Sequence, residues 1–249
     1  MGSSESAAGR DRCLTGIDGL DNILSGGIPR NNTILVTGSC GTGKTSMGLE
    51  FLLHGAEKGE TGILVAATEP PDKLMENMIP YDFYDAKLVE KKDIVFLDLH
   101  ELYRKAKTEG PEIDQKGSEA LVKAIVATVK SHGAKRLVID SITSICARLL
   151  TADLIREFIR SLSQSLAQKE CTALLIAEVP AGDERYSPYG VEEAVVDGVI
   201  LLGNLERRGD LLRTLQVVKM RGTTHSRAKY ILDLTSVGVL LAPLLKGGG

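Results

Sequence analysis

One short stretch of this chain has residue types at a spacing that chemistry can use: Gly38-Ser39-Cys40-Gly41-Thr42-Gly43-Lys44-Thr45. The pattern is G-x-x-x-x-G-K-[ST]. Glycines let the backbone wrap so that successive N–H groups point inward at phosphate oxygens. Lys44 is long enough to reach the outer two phosphates of a nucleoside triphosphate, and the Thr45 hydroxyl is a hard oxygen ligand for Mg²⁺. Cys40 is read as a small filler of the loop rather than a nucleophile. The motif has meaning only where a strand enters it and a helix leaves it. Thr33-Ile34-Leu35-Val36-Thr37 is an apolar β-type run, and a helical pattern extends from Ser46 to about Lys58. The helix N-terminus adds unpaired donors and a partial positive charge. Gly38 through Ser46 therefore reads as a nucleotide-binding loop, with a nucleotide's phosphates and Mg²⁺ as its expected occupants.

In open α/β sheets, ligands sit outside the carboxyl ends of the strands. Three acids occupy such ends. Asp140 closes the run Arg136-Leu137-Val138-Ile139, where a carboxylate can orient Mg²⁺ beside Thr45; the alternative is a cap for the segment from Ser141 onward. Glu69 follows Gly62 to Ala67 and can align the water that attacks the γ-phosphate, or accept its proton. Glu178 ends Thr172 to Ala177 and is a candidate γ-phosphate sensor, with a structural hydrogen bond as its alternative. The other concentrated polar signal is Lys219-Met220-Arg221-Gly222-Thr223-Thr224-His225. Lys219 and Arg221, two residues apart on a strand, project from one face and suit a clamp on a phosphate that gains charge during transfer. Glu69, Lys44, Lys219 and Arg221 are thus the candidate catalytic residues, and Thr45 and Asp140 the candidate metal ligands.

The elements that must position these groups alternate. Leu20, Ile23 and Leu24 mark a short helix capped by Thr15 or Asp18 and ended by Gly26-Gly27. After the loop helix, strands are expected at 62–67, 94–99, 136–141 and 172–178, with helices near 72–78, 81–92, 118–131 and 154–168. Residues 100–116 read as a charged surface connection. Residues 195–202 are expected to form another strand, and 211–220, 229–234 and 237–241 an antiparallel set at the end. The fold class is α/β: a mostly parallel twisted sheet flanked by helices, with a C-terminal antiparallel β extension. No composition break divides it, so residues 13–245 are expected to be one domain between a flexible 1–12 and a loose 246–249.

Of the 249 residues, 43% are hydrophobic and 25% charged, with net charge -3. That balance supplies a core and offers no bulk attraction to nucleic acid. Cys13, Cys40, Cys146 and Cys171 are scattered without metal-ligand spacing, as in a reducing cytoplasm. No apolar run reaches the length of a membrane span.

Thr15-Gly16-Ile17-x-Gly19-Leu20-Asp21-x-x-Leu24-x-Gly26-Gly27-Ile28-Pro29, followed by the phosphate loop, resembles the opening of KaiC-type domains in the RecA superfamily. Ser187-Pro188-Tyr189-Gly190-Val191-Glu192-Glu193-Ala194-Val195-Val196-Asp197-Gly198 and Lys219-Met220-Arg221-Gly222-Thr223-x-His225 are similar to its later signatures. The matches run from about residue 14 to 235. The resemblance implies a RecA-type ATPase core that binds ATP or ADP with Mg²⁺. It also implies self-association, frequently as a hexameric ring with nucleotide at subunit interfaces, where Lys219 and Arg221 approach the neighbour's γ-phosphate. Two departures qualify it. Many relatives carry two glutamates where this chain has Thr68-Glu69, which points to slow turnover, or none. The autophosphorylating domain carries Ser-Thr where this chain has Glu193-Ala194, which disfavours autokinase activity.

The expected function is slow Mg²⁺-dependent ATP hydrolysis coupling nucleotide state to assembly or to a regulatory protein partner. One alternative is a single-stranded-DNA-binding recombination accessory, with Tyr186 and Tyr189 stacking bases. Against it, Asp183, Glu184, Glu192 and Glu193 face a single Arg185 in that loop. The other alternative is an ATP-gated scaffold without turnover.

Overall fold

The computed structural model describes residues 11–82, 84–181 and 185–244. The segments 1–10 and 245–249, together with Asp183 and Glu184, lie outside the described residues. The chain opens with β1 (Arg12–Cys13), α1 (Leu20–Ile23) and β2 (Ile28–Pro29), β1 and β2 pairing antiparallel. Asp11 and Arg12 were expected in a flexible tail. They are tied down instead: the Asp11 carbonyl accepts from the Arg30 N–H, and its carboxylate lies 3.0 Å from the Arg30 guanidinium. No side chain caps α1, whose N-cap is Gly19 at φ 82°. Asp21 acts in place of Thr15 and Asp18, its carboxylate accepting from the Thr15 hydroxyl and N–H and from the Gly16 N–H.

Then β3 (Thr33–Gly38) leads into α2 (Lys44–Glu57), followed by β4 (Gly62–Ala66), α3 (Pro71–Met78), α4 (Ala86–Glu90) and β5 (Ile94–Asp98). The irregular helical piece expected over 81–92 shrinks to α4, which buries none of its residues. The chain continues through α5 (Leu99–Ala106), α6 (Gln115–His132), β6 (Arg136–Asp140), α7 (Ile142–Cys146), α8 (Ala152–Ala167) and β7 (Thr172–Glu178). It ends with α9 (Glu192–Val195), β8 (Gly198–Arg207), β9 (Asp210–Met220), β10 (Lys229–Thr235) and β11 (Gly238–Pro243).

The reading of 100–116 as a surface connection with little core content is overturned. Leu99, Leu102, Tyr103 and Ala106 recur at helical spacing and are buried as one face of α5, whose N-cap Asp98 accepts from the His100 N–H. Ile113 is buried as well. The run of charges between these positions hid a narrow apolar stripe. The strand expected from Val195 starts at Gly198, because Glu192–Val195 closes a helical turn first.

The sheet has nine strands in the order β11-β10-β9-β8-β3-β7-β6-β4-β5. The five at one side, β3, β7, β6, β4 and β5, run parallel, and β8 joins them parallel to β3. The extension β9, β10 and β11 is antiparallel. The parallel strands are buried on both faces, which explains their unbroken apolar runs. Leu35, Ile63, Leu137 and Leu175 face the layer of α5, α6, α7 and α8. Ile34, Val36, Leu64 and Val138 face the layer of α1, α2 and α3. Alternation at period two thus assigns each strand residue to one of two cores.

Candidate nucleotide site

The phosphate loop leaves β3 at the carboxyl edge of the sheet. A Cβ at Gly38 would fall onto the Leu202 carbonyl of the adjacent β8, so no other residue fits there. Gly43 sits at φ 95°, a left-handed conformation open to glycine, and directly precedes α2. The Thr42 hydroxyl donates to the Ser39 carbonyl at 2.8 Å. Lys44 is buried and folds back over the loop, donating to the carbonyls of Gly38 and Ser39 at 2.9 and 2.7 Å. Burial lowers its pKa. Cys40 is exposed and free, while Cys13, Cys146 and Cys171 are free and buried.

Register brings the acids to the same edge. Gly38 lies opposite Glu178, and Ala66 opposite Asp140. The Thr45 hydroxyl donates to Asp140 at 2.6 Å. Ser141, not Asp140, occupies the N-cap of α7, so the capping alternative fails. Burial raises the Asp140 pKa, opposed by the Thr45 hydrogen bond and the Lys44 charge. A hydroxyl beside a carboxylate held out of water is a set of hard oxygen donors that fits Mg²⁺.

Glu69 lies just past β4 and accepts from the Asn77 amide at 3.2 Å, with Lys73 at 3.5 Å. A cleft of about 470 Å³ is lined by Thr45, Ser46, Thr68, Glu69, Asn77 and Glu178. The Glu178 N–H donates to the Thr143 hydroxyl, and its side chain is exposed. The loop, Asp140, Glu178 and Glu69 thus share one edge.

Lys219 and Arg221 do not join them. Gly198, at the start of β8, pairs with both Ile34 and Met220, four residues upstream of Gly38. At roughly 3.3 Å per residue the two cations lie about 13 Å along the strands from the phosphate loop, at the opposite edge. They do share a face, as expected: Lys219 donates to the carbonyls of Glu193 and Val196, and Arg221 to that of Ala194 at 3.2 Å. Burial, then the Arg221 charge, lowers the Lys219 pKa. Arg221 is half exposed, 3.7 Å from Asp197.

The loop before α9 is less acidic toward solvent than its sequence suggests. Glu192 is buried and accepts from the N–H groups of Val191 and Tyr189, and Glu193 accepts from the Ser187 hydroxyl. Tyr186 and Tyr189 are exposed. Among the described residues no helix is long and apolar enough to cross a membrane, and no cluster of three or more His, Cys, Asp or Glu side chains could hold a metal.

Two partners of the site escaped the sequence. Asn77 reaches Glu69 only because α3 folds back over the cleft. Arg213 of β9 donates through Nε to the Gly41 carbonyl at 2.8 Å. Its signal lies in strand register, which pairs Arg213 with Asn204 two residues beyond the Leu202 that faces Gly38.

The family model described as "ATPase: KaiC" matches residues 13–246. A UPF0273 protein of Pyrococcus horikoshii is 35% identical over 95% of this chain and 97% of its own length. The circadian clock protein KaiC2 of a Synechocystis strain is 34% identical over 94% of this chain and 40% of its own. Among solved structures, a KaiC-like protein of Pyrococcus horikoshii superposes with a TM-score of 0.79 at 33% identity, covering 94% of this chain and 99% of that one. With its phosphate loop and mostly parallel nine-stranded sheet, this chain belongs to the KaiC family of ATPases.

Proposed function

We propose that the protein binds ATP with Mg²⁺ and hydrolyses it slowly, residues 13–245 acting as one ATPase domain whose site is completed by a second copy. The observation that carries this reading is the split of the candidate residues. Lys44, Thr45, Asp140, Glu69 and Glu178 border the carboxyl edge of the sheet, while Lys219 and Arg221 lie at the opposite edge. Cations so far from their own loop suit a nucleotide carried by a neighbour.

In this reading Gly38 through Ser46 cradle the phosphates and Lys44 exchanges two carbonyls for phosphate oxygens. Thr45 and Asp140 would hold Mg²⁺, which when bound neutralises charge on the phosphate oxygens. Glu69, oriented by Asn77, aligns the attacking water and takes its proton. Glu178 borders the same cleft and reports the γ-phosphate. Lys219 and Arg221 of the neighbour stabilise the charge that develops on transfer, a contribution on the order of 10³–10⁵ in rate. ATP and water give ADP and phosphate, and the change of occupant alters assembly or a regulatory partner's binding in a cytoplasmic, ring-forming protein.

A second reading, an ATP-gated scaffold without turnover, is favoured by one feature: Thr68 stands beside Glu69 where a second acid is absent. The test is ADP production per protomer with and without Mg²⁺. Release that stops on chelation and is lost in Arg221→Ala, with ATP binding retained, supports hydrolysis. ATP binding with no ADP at any protein concentration leaves the scaffold.

A further inference from the structure

The antiparallel extension forms a side wall of the phosphate loop, and Arg213 makes a polar contact with the loop from it. β9 and β10 follow β8, the neighbour of β3, so their near ends stand beside residues 41–43. A Cβ built at Gly43 would meet the Leu234 side chain of β10 at 3.1 Å, and Leu232 lies behind it. Above these leucines, Arg213 donates to the Gly41 carbonyl. Gly41 is at φ 73°, and a Cβ there would meet nothing within 4 Å, while Thr42 beside it is buried.

A trans peptide holds its C=O and N–H in one rigid plane, pointing in opposite directions. Holding the Gly41 carbonyl outward therefore turns the Thr42 N–H inward, toward the space the loop encloses. We propose that Arg213 is a positioning residue for nucleotide binding: through the Gly41 carbonyl it presets the Thr42 N–H as a phosphate donor. The idea rests on the nucleotide-binding reading of the loop and adds to it a residue from outside the motif. It also gives the C-terminal extension a role in the site. Arg suits the position because the guanidinium is charged at all working pH values and forms a charge-assisted hydrogen bond with one rigid N–H.

The test compares Arg213→Ala, Arg213→Lys and Lys44→Ala with the unaltered chain, each titrated with ADP and with adenosine, and each melted without ligand. The proposal expects Arg213→Ala to weaken ADP about tenfold, the equivalent of one charge-assisted hydrogen bond. Adenosine, which has no phosphate, should bind as before, and the ligand-free melting temperature should hold. Arg213→Lys should recover part of the loss. ADP binding unchanged in Arg213→Ala but lost in Lys44→Ala overturns the role of Arg213 alone. Equal weakening of ADP and adenosine together with a lower melting temperature also overturns it, since the residue would then be merely structural. Unchanged ADP binding in Lys44→Ala overturns the nucleotide-loop reading and the proposal with it.

Discussion

Asp140 is a buried acid whose ionisation bears on stability. Its carboxylate is 6% exposed and held by the Thr45 hydroxyl. Burial raises its pKa above the ordinary 3.8. For an acid with a raised folded pKa, the stabilising share is present below pH 3.8 and is lost as pH rises through the folded value. At neutral pH the ionised group therefore costs stability that a bound cation would offset. Asp140→Asn keeps an acceptor for Thr45 and removes the charge. It should raise the ligand-free melting temperature at pH 7, with the gain shrinking as pH falls toward 4, and lower ADP production about 10²-fold or more. Melting curves at several pH values check this; a lower melting temperature at neutral pH would contradict it.

At the scale of elements, α2 is fixed by both of its ends and by its contact with the sheet. Gly43 admits the loop, and Gly55 admits Arg136 from the start of β6. Arg136 is almost fully buried, with its donors on Glu60 at 2.7 Å and on the carbonyls of Phe51 and Leu14, and its guanidinium over the Phe51 ring. A Cβ at Gly55 would fall on its Nε and Cδ. Because Arg136 is pinned on three sides, Gly55→Ala should destabilise the protein by about 1–3 kcal/mol, the range for overpacking a filled site. Denaturant unfolding reads this directly, and an unchanged midpoint would show that Arg136 can move aside. Arg136 also shows what the sequence hid. It stood at the head of an apolar strand with no sign that it is buried or that Glu60 pairs with it. The strands and the phosphate loop were legible because burial on both faces writes continuous apolar runs, and because the loop needs glycines at set positions. The helix α5 was not, because its stripe of Leu99, Leu102, Tyr103 and Ala106 is interleaved with charges. Nor was the turn before α1, which no side chain caps and where Asp21 bonds back to the N–H groups of Thr15 and Gly16. Arg213 and Asn77 needed tertiary register, which local spacing does not encode.

On the scale of the whole molecule, the sheet separates two groups of candidate residues. One edge carries the loop, Asp140, Glu69 and Glu178; the other carries Lys219 and Arg221, held against carbonyls of residues 193–196. Copies arranged head to tail would bring the two edges together, and such a heterologous contact closes into a ring when its rotation permits. The most direct test of this account is a mixing experiment on ADP production. Arg221→Ala subunits keep an intact loop, and Lys44→Ala subunits keep an intact cation pair. Each variant alone should be nearly inactive. Mixed in equal amounts, they should recover a substantial fraction of the unaltered activity, because one supplies the nucleotide site and the other the cations. If Arg221→Ala alone hydrolyses ATP at the unaltered rate, or if the mixture yields no more ADP than the two variants apart, the site is not completed between copies.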